Sequence, residues 1–435
     1  MAQELAGFPY FEFQVDKAGK PVDATAKQRA PDFFAQAGVT DLFITSHGWN
    51  NDMEEARALY QAFFSGVKKL LDQNAVPGLA RKFGVLGILW PSKKFADEDL
   101  IPGGAASINP AVRTTLLEKK IDGLKGVFTA ANADALLQQA KALLPDLENK
   151  QSARDQFGDL VKSLMTNMAG DSEDASKQFA TMKGGDLMKK LAVAVTPAGP
   201  VRTGGGAASL GGATGGAAGF NPFSGITAAA ANLLNLTTYY QMKERAGLIG
   251  RTAVSELVRA VVARVPQLKL HVIGHSFGAR LVTSLALGAP GAAPQKFATM
   301  TLLQAAFSHN GFADKFEKIG FFRDVVADKR VAGPILVTFT GNDKAVGLAY
   351  PLASLVAGQT ASAFGGPKDP FGGLGRNGAQ NTSEAVPGQL QPVGTALDFK
   401  AGAIHNLNAD QVIGGHSDFC KPEVYYALLK SVATT

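Results

Sequence analysis

The sequence predicts an α/β protein: a mostly parallel sheet with helices on both faces, enlarged by a helical insertion. Three observations carry that expectation. Short apolar runs alternate with segments of helical periodicity in both halves of the chain, which is the pattern of strands joined by crossover helices. The strand-like runs are apolar along most of their length, as in strands covered on both sides. Between about residues 93 and 237 the alternation lapses and only helical patterns remain.

Taken in order, Asp41-Leu-Phe-Ile-Thr-Ser46 reads as a strand. Asp52 followed by Glu55 then gives a capping-box start, and Leu59, Tyr60, Phe63, Val67, Leu70 and Leu71 fall at helical spacing. Phe83 to Trp90 is the next strand, stopped by Pro91. The stripe Val254, Leu257, Val258, Val261, Val262 and Val265 predicts a helix leading into the strand Leu268 to Gly274. A helix from Phe277 to Leu287 follows, closed by Gly288 and Pro290. Thr299 to Phe307 and Pro334 to Thr340 complete the buried-looking strands.

Within the insertion, Leu116, Leu117, Ile121 and Leu124 form one apolar face. Leu136, Leu137, Leu143, Leu144 and Leu147 form a second, and Phe157, Leu160, Val161, Leu164 and Met165 a third. The predicted organisation is therefore a core in two parts, 1–92 and 238–435, with 93–237 as a helical insertion or cap.

Composition narrows the function classes. The chain has 435 residues, 46% hydrophobic and 18% charged, so it can bury a core and is not a disordered chain. The net charge of +6 comes from scattered residues with no long basic run, which argues against a nucleic-acid partner. The single cysteine, Cys420, excludes an intrachain disulfide and any zinc site built on several thiolates. His271 and His275, four apart on a strand, do not make a shared ligand face, so neither metal nor cofactor is expected. The start lacks a basic region followed by a long apolar one, so the expected location is cytoplasmic.

Glycine is in excess at 49 residues, and two tracts hold much of it. Thr203 to Met242 contains no charge, and its apolar part, Ile226 to Leu236, is interrupted by Asn232 and Asn235, too short to span a membrane. It reads as a cap helix or apolar flap that moves over a pocket. Gly358 to Gly394 reads as loop.

Gly274-His275-Ser276-Phe277-Gly278 fits G-x-S-x-G at the end of a predicted strand and the start of a predicted helix. A serine on so sharp a turn needs small neighbours on either side, and the helix N-terminus favours negative charge beside it. On this motif and its context the chain resembles the α/β-hydrolase superfamily over about 1–92 and 238–435. The resemblance implies a triad in the order serine, acid, histidine: Ser276, then Asp343 after the strand Pro334 to Thr340, then His416 in Gly414-Gly415-His416. Asp324 and Asp418 are alternatives for the acid, and His405 for the base. His47-Gly48-Trp49 resembles the HG-x segment after an early strand, which implies an oxyanion hole from the backbone N–H groups of Trp49 and Phe277. The supporting residues are His47, Gly48, Gly274, His275 and Gly278.

The expected activity is hydrolysis of carboxylic esters, small or lipid, through an acyl-enzyme, as in a carboxylesterase or lipase. A serine nucleophile and an apolar cover favour that class. Two other readings remain: a phospholipase or lipase-like effector in peripheral contact with a membrane, and a non-catalytic binding module on the same scaffold.

Overall fold

The computed structural model describes residues 4–49, 51–92, 110–165, 176–192, 225–314, 319–343, 356 and 371–435. Its sheet has nine strands: β1 (Glu4–Leu5), β2 (Phe8–Gln14), β3 (Asp41–Ser46), β4 (Phe83–Leu89), β5 (Lys269–His275), β6 (Thr299–Leu303), β7 (Ile335–Phe339), β8 (Ala385–Gln389) and β9 (Ile404–Asn408). Their spatial order is β1-β2-β4-β3-β5-β6-β7-β9-β8. Among these nine described strands only the β1–β2 pair is antiparallel; the other pairs are parallel. The predicted mostly parallel sheet is therefore present.

Thirteen α-helices are described: α1 (Ala26–Gln36), α2 (Met53–Asp72), α3 (Pro110–Gly123), α4 (Ala133–Ala142), α5 (Gln151–Lys162), α6 (Ser176–Thr181), α7 (Gly184–Leu191), α8 (Gly225–Ile249), α9 (Ser255–Arg264), α10 (Phe277–Leu287), α11 (Arg323–Ala327), α12 (Leu374–Asn377) and α13 (Pro422–Val432). The capping box of α2 is formed: Asp52 accepts from the Glu54 and Glu55 N–H groups, and Glu55 accepts from the Asp52 N–H.

Successive strand residues point to opposite faces, and this divides the core in two. Leu42, Ile44, Leu270, Val272, Met300 and Leu302 enter one apolar cluster, with α1, α9 and α10. Phe43, Ile273, Leu303 and Leu336 enter the other, with α2 and α13. Helices thus cover both faces. The insertion is not a separate body: Ile121, Leu137, Phe157, Leu187 and Leu234 belong to the first cluster, continuous with the sheet.

Several expectations change. Four strands were not foreseen: β1, β2, β8 and β9. The strand expected to run from Thr299 to Phe307 ends at Leu303, because Gln304 takes a positive φ of 40° that breaks the pleat. Part of the tract 358–394 is ordered: β8 pairs with β9, and Leu374 and Ala379 are buried. The boundary expected between 237 and 238 falls inside α8, which runs on through a π-turn at Gly250–Val254 into α9.

The mobile apolar flap is also corrected. Residues 225–242 belong to α8, which is buried around nearly its whole circumference, so this segment is core. The rest of that tract lies outside the described residues. Among the described residues, no helix is long and apolar enough to cross a membrane.

Candidate active site

The chain passes from β3 to β4 on one side and then returns to place β5 on the other side of β3. The carboxyl ends of β3 and β5, at such a reversal, are where open parallel sheets bind ligands. His47 to Trp49 follow β3 there, and Ser276 follows β5.

Ser276 has φ 55° and ψ −123°, a sparsely populated conformation for a residue with a side chain. It is held from both sides: its N–H donates to the Leu303 carbonyl at 3.0 Å, and its carbonyl accepts from Ala306 N–H at 3.1 Å. The flanking glycines are required by close approach. A methyl carbon on Gly274 would lie 2.4 Å from Ala279 Cα, and one on Gly278 would lie 2.1 Å from the Ser46 carbonyl oxygen. Phe277 is the first residue of α10, so its N–H is one of the donors a helix leaves without an intrahelical partner.

The segment after β3 is clamped by His47, which is fully buried. Its Nδ1–H donates to the Gly48 carbonyl at 2.9 Å, and its Nε2 accepts from the Trp90 N–H at 3.2 Å. These two partners fix the neutral Nδ1–H tautomer, and burial lowers the pKa to about 4. Trp90, at the end of β4, stacks on the imidazole at 5.5 Å and donates from Nε1 to the His47 carbonyl. Tyr60 of α2 accepts from the His47 N–H at 2.8 Å. With the Gly48 carbonyl held by His47, the trans peptide turns the Trp49 N–H to the opposite side.

Asp343 is completely buried four residues beyond β7, and its Oδ2 lies 2.7 Å from His416 Nδ1. The acid loop and the histidine loop are tied together. Asn342 Nδ2 donates to the carbonyls of Asp410 and Ile413, and Thr340 Oγ1 donates to Asp410 Oδ1 at 2.9 Å. Arg376 of α12 donates to the carbonyls of Gly341 and Asp343. His275, the residue before Ser276, has its ring 4.7 Å from the His416 ring, which brings the histidine loop to the strand-to-helix turn.

The alternative residues are engaged with other partners. His405 is on β9, and its Nε2 accepts from the Lys400 N–H at 2.9 Å. Asp324 is in the first turn of α11, and Asp418 pairs with Lys421 at 2.7 Å. Sequence reasoning missed Tyr60, Trp90, Asn342 and Arg376. Trp90 carried one signal, its position at the end of a predicted strand beside Pro91, and Tyr60 another, its place in the helical stripe after Asp52; Asn342 and Arg376 carried none in local spacing.

Apolar groups surround the turn. The Trp49 ring lies 6.0 Å from Phe277, and Tyr239 of α8 lies 5.1 Å from Phe277. α8 thus places an aromatic ring beside Phe277. Among the described residues, no group of three or more His, Cys, Asp or Glu side chains is placed to hold a metal ion.

Compared with known protein families, curated proteins and solved structures, the chain matches none at a significant level.

Proposed function

We propose that the protein is a serine hydrolase of the α/β-hydrolase type that cleaves carboxylic esters through an acyl-enzyme. The observation that carries this reading is the 2.7 Å pair of His416 Nδ1 and Asp343 Oδ2, its imidazole packed against His275, the residue before a serine at φ 55° on a strand-to-helix turn.

In this mechanism His416 takes the Ser276 proton on Nε2 as Oγ attacks the ester carbonyl. Asp343 holds the imidazole in the Nδ1–H tautomer and stabilises the imidazolium that forms. The Trp49 and Phe277 N–H groups receive the oxyanion, His416 returns its proton to the leaving alkoxide, and water repeats the cycle on the acyl-enzyme. The chain and water supply every group these steps use.

The test is a series of p-nitrophenyl esters of increasing chain length, assayed with Ser276→Ala as control and with a fluorophosphonate probe of the serine. Hydrolysis by the wild type that falls by about 10³ or more in Ser276→Ala, with loss of probe labelling, supports the reading. Equal activity in the two proteins sinks it.

A further inference from the structure

His275 touches all three segments that meet at the turn. Its backbone ends β5 and precedes Ser276. Its Nε2 lies 2.9 Å from the carbonyl oxygen of His416. Its ring packs 4.7 Å from the His416 ring and 4.3 Å from Phe419. On the other edge, a methyl carbon on Gly48 would lie 2.9 Å from His275 Nδ1, so the segment after β3 is pressed against that atom.

The protonation state follows from these neighbours. A carbonyl oxygen only accepts, so Nε2 carries the proton. Nδ1 is buried and, among the described residues, has no hydrogen-bond partner, so a proton there would be an unsatisfied donor. Burial, and then the proximity of His416, push the pKa well below the usual histidine value. A neutral Nε2–H ring is the form that both neighbours tolerate.

We infer that His275 is a positioning residue for His416, through its Nε2–H bond to the His416 carbonyl. This deepens the hydrolase reading, on which its kinetic consequence rests. His416 follows Gly414, whose N–H donates to Asp418 Oδ2 at 3.0 Å, and Gly415, where a methyl carbon would meet nothing within 4 Å, so packing at Gly415 does little to set where the imidazole stands. Asp343 fixes the ring at Nδ1, and His275 fixes the backbone that carries it. Its neutral ring also adds no like charge beside the imidazolium that forms on His416 during the reaction.

Two variants separate the bond from the packing. His275→Gln keeps a donor at the reach of Nε2, whereas His275→Phe keeps the ring and removes the donor. The expected result is that His275→Phe lowers kcat about 10²-fold with KM little changed, the effect of displacing a reacting group by about an ångström. His275→Gln recovers most of that loss.

A second readout needs no substrate. In ¹⁵N-histidine NMR spectra, His275 is expected as the Nε2–H tautomer, and His416 as a single Nδ1–H tautomer in the wild type and in His275→Gln. In His275→Phe, His416 is expected to average between tautomers. Unaltered His416 signals and kcat in His275→Phe would overturn the inference. So would equal losses in both variants in step with the fraction folded. If the spectra behave as expected but the wild type cleaves no ester, the hydrolase reading fails and the positioning role stands.

Discussion

A methyl carbon on Gly48 would lie 2.6 Å from Cβ of Ser276, closer than carbon atoms approach without a bond. The segment after β3 and the turn after β5 are therefore seated against each other with no room for a side chain. Gly48→Ala must push the two apart, and the Trp49 N–H moves with them. The expected outcome is a folded protein whose ester hydrolysis falls by about 10² to 10³, the cost of losing one oxyanion donor. Steady-state kinetics beside a thermal melt checks it, and wild-type turnover in Gly48→Ala would refute it.

Asp343→Asn replaces an acceptor with an amide that can donate to His416 Nδ1 and select the wrong tautomer. Because Asp343 is buried and the pair is short, no water can substitute for the carboxylate. kcat is expected to fall by roughly 10³ to 10⁴ with fluorophosphonate labelling slowed in parallel. Labelling at the wild-type rate would show that His416 does not depend on this partner.

Acid should destabilise the fold in a defined window. Burial holds His47 at about 4 and lowers His271, so as pH falls below about 6.5 the unfolded chain takes up protons that the folded chain refuses. Stability from these two groups is complete above that pH and is lost as pH falls toward their folded values. For His47 alone the loss amounts to about 3 kcal/mol by pH 4. Burial raises the Asp41 carboxyl, but hydrogen bonds from His271, Arg81 and Thr40 outweigh it and hold it at about 2. Its contribution is present above about 3.8 and is lost as pH falls toward about 2. Urea unfolding at pH 7, 5.5 and 4 measures the slope, and a flat profile would contradict it.

Leu234 lies in α8 with no exposed surface. Leu234→Ala should therefore cost about 2 to 5 kcal/mol, as a core truncation does, measured by urea unfolding. A change near zero would mean that this stretch is a surface cover after all.

The parts of this architecture that show in the sequence are those encoded by neighbours. The strand from Asp41 to Ser46, the Asp52–Glu55 box, the helix from Phe277 to Leu287 and the glycines around Ser276 follow from local spacing and from steric needs within a few residues. β8 hid in a Gly- and Pro-containing stretch whose side chains stay largely exposed, so it has no apolar signature. β9 holds His405 and two asparagines, and the strand forms because its edges hydrogen-bond to β7 and β8.

By itself the sequence determined the class of fold and the place of the turn at Ser276, because hydrophobic period and glycine placement act over short range. Only the tertiary structure decided which partners meet. His416 reaches Asp343 across 73 residues, while His405, eleven positions before His416, is held in the sheet. It also turned the uncharged stretch of α8 from an expected flap into buried core. Both outcomes depend on strand order and on packing between distant segments, and a local pattern contains neither.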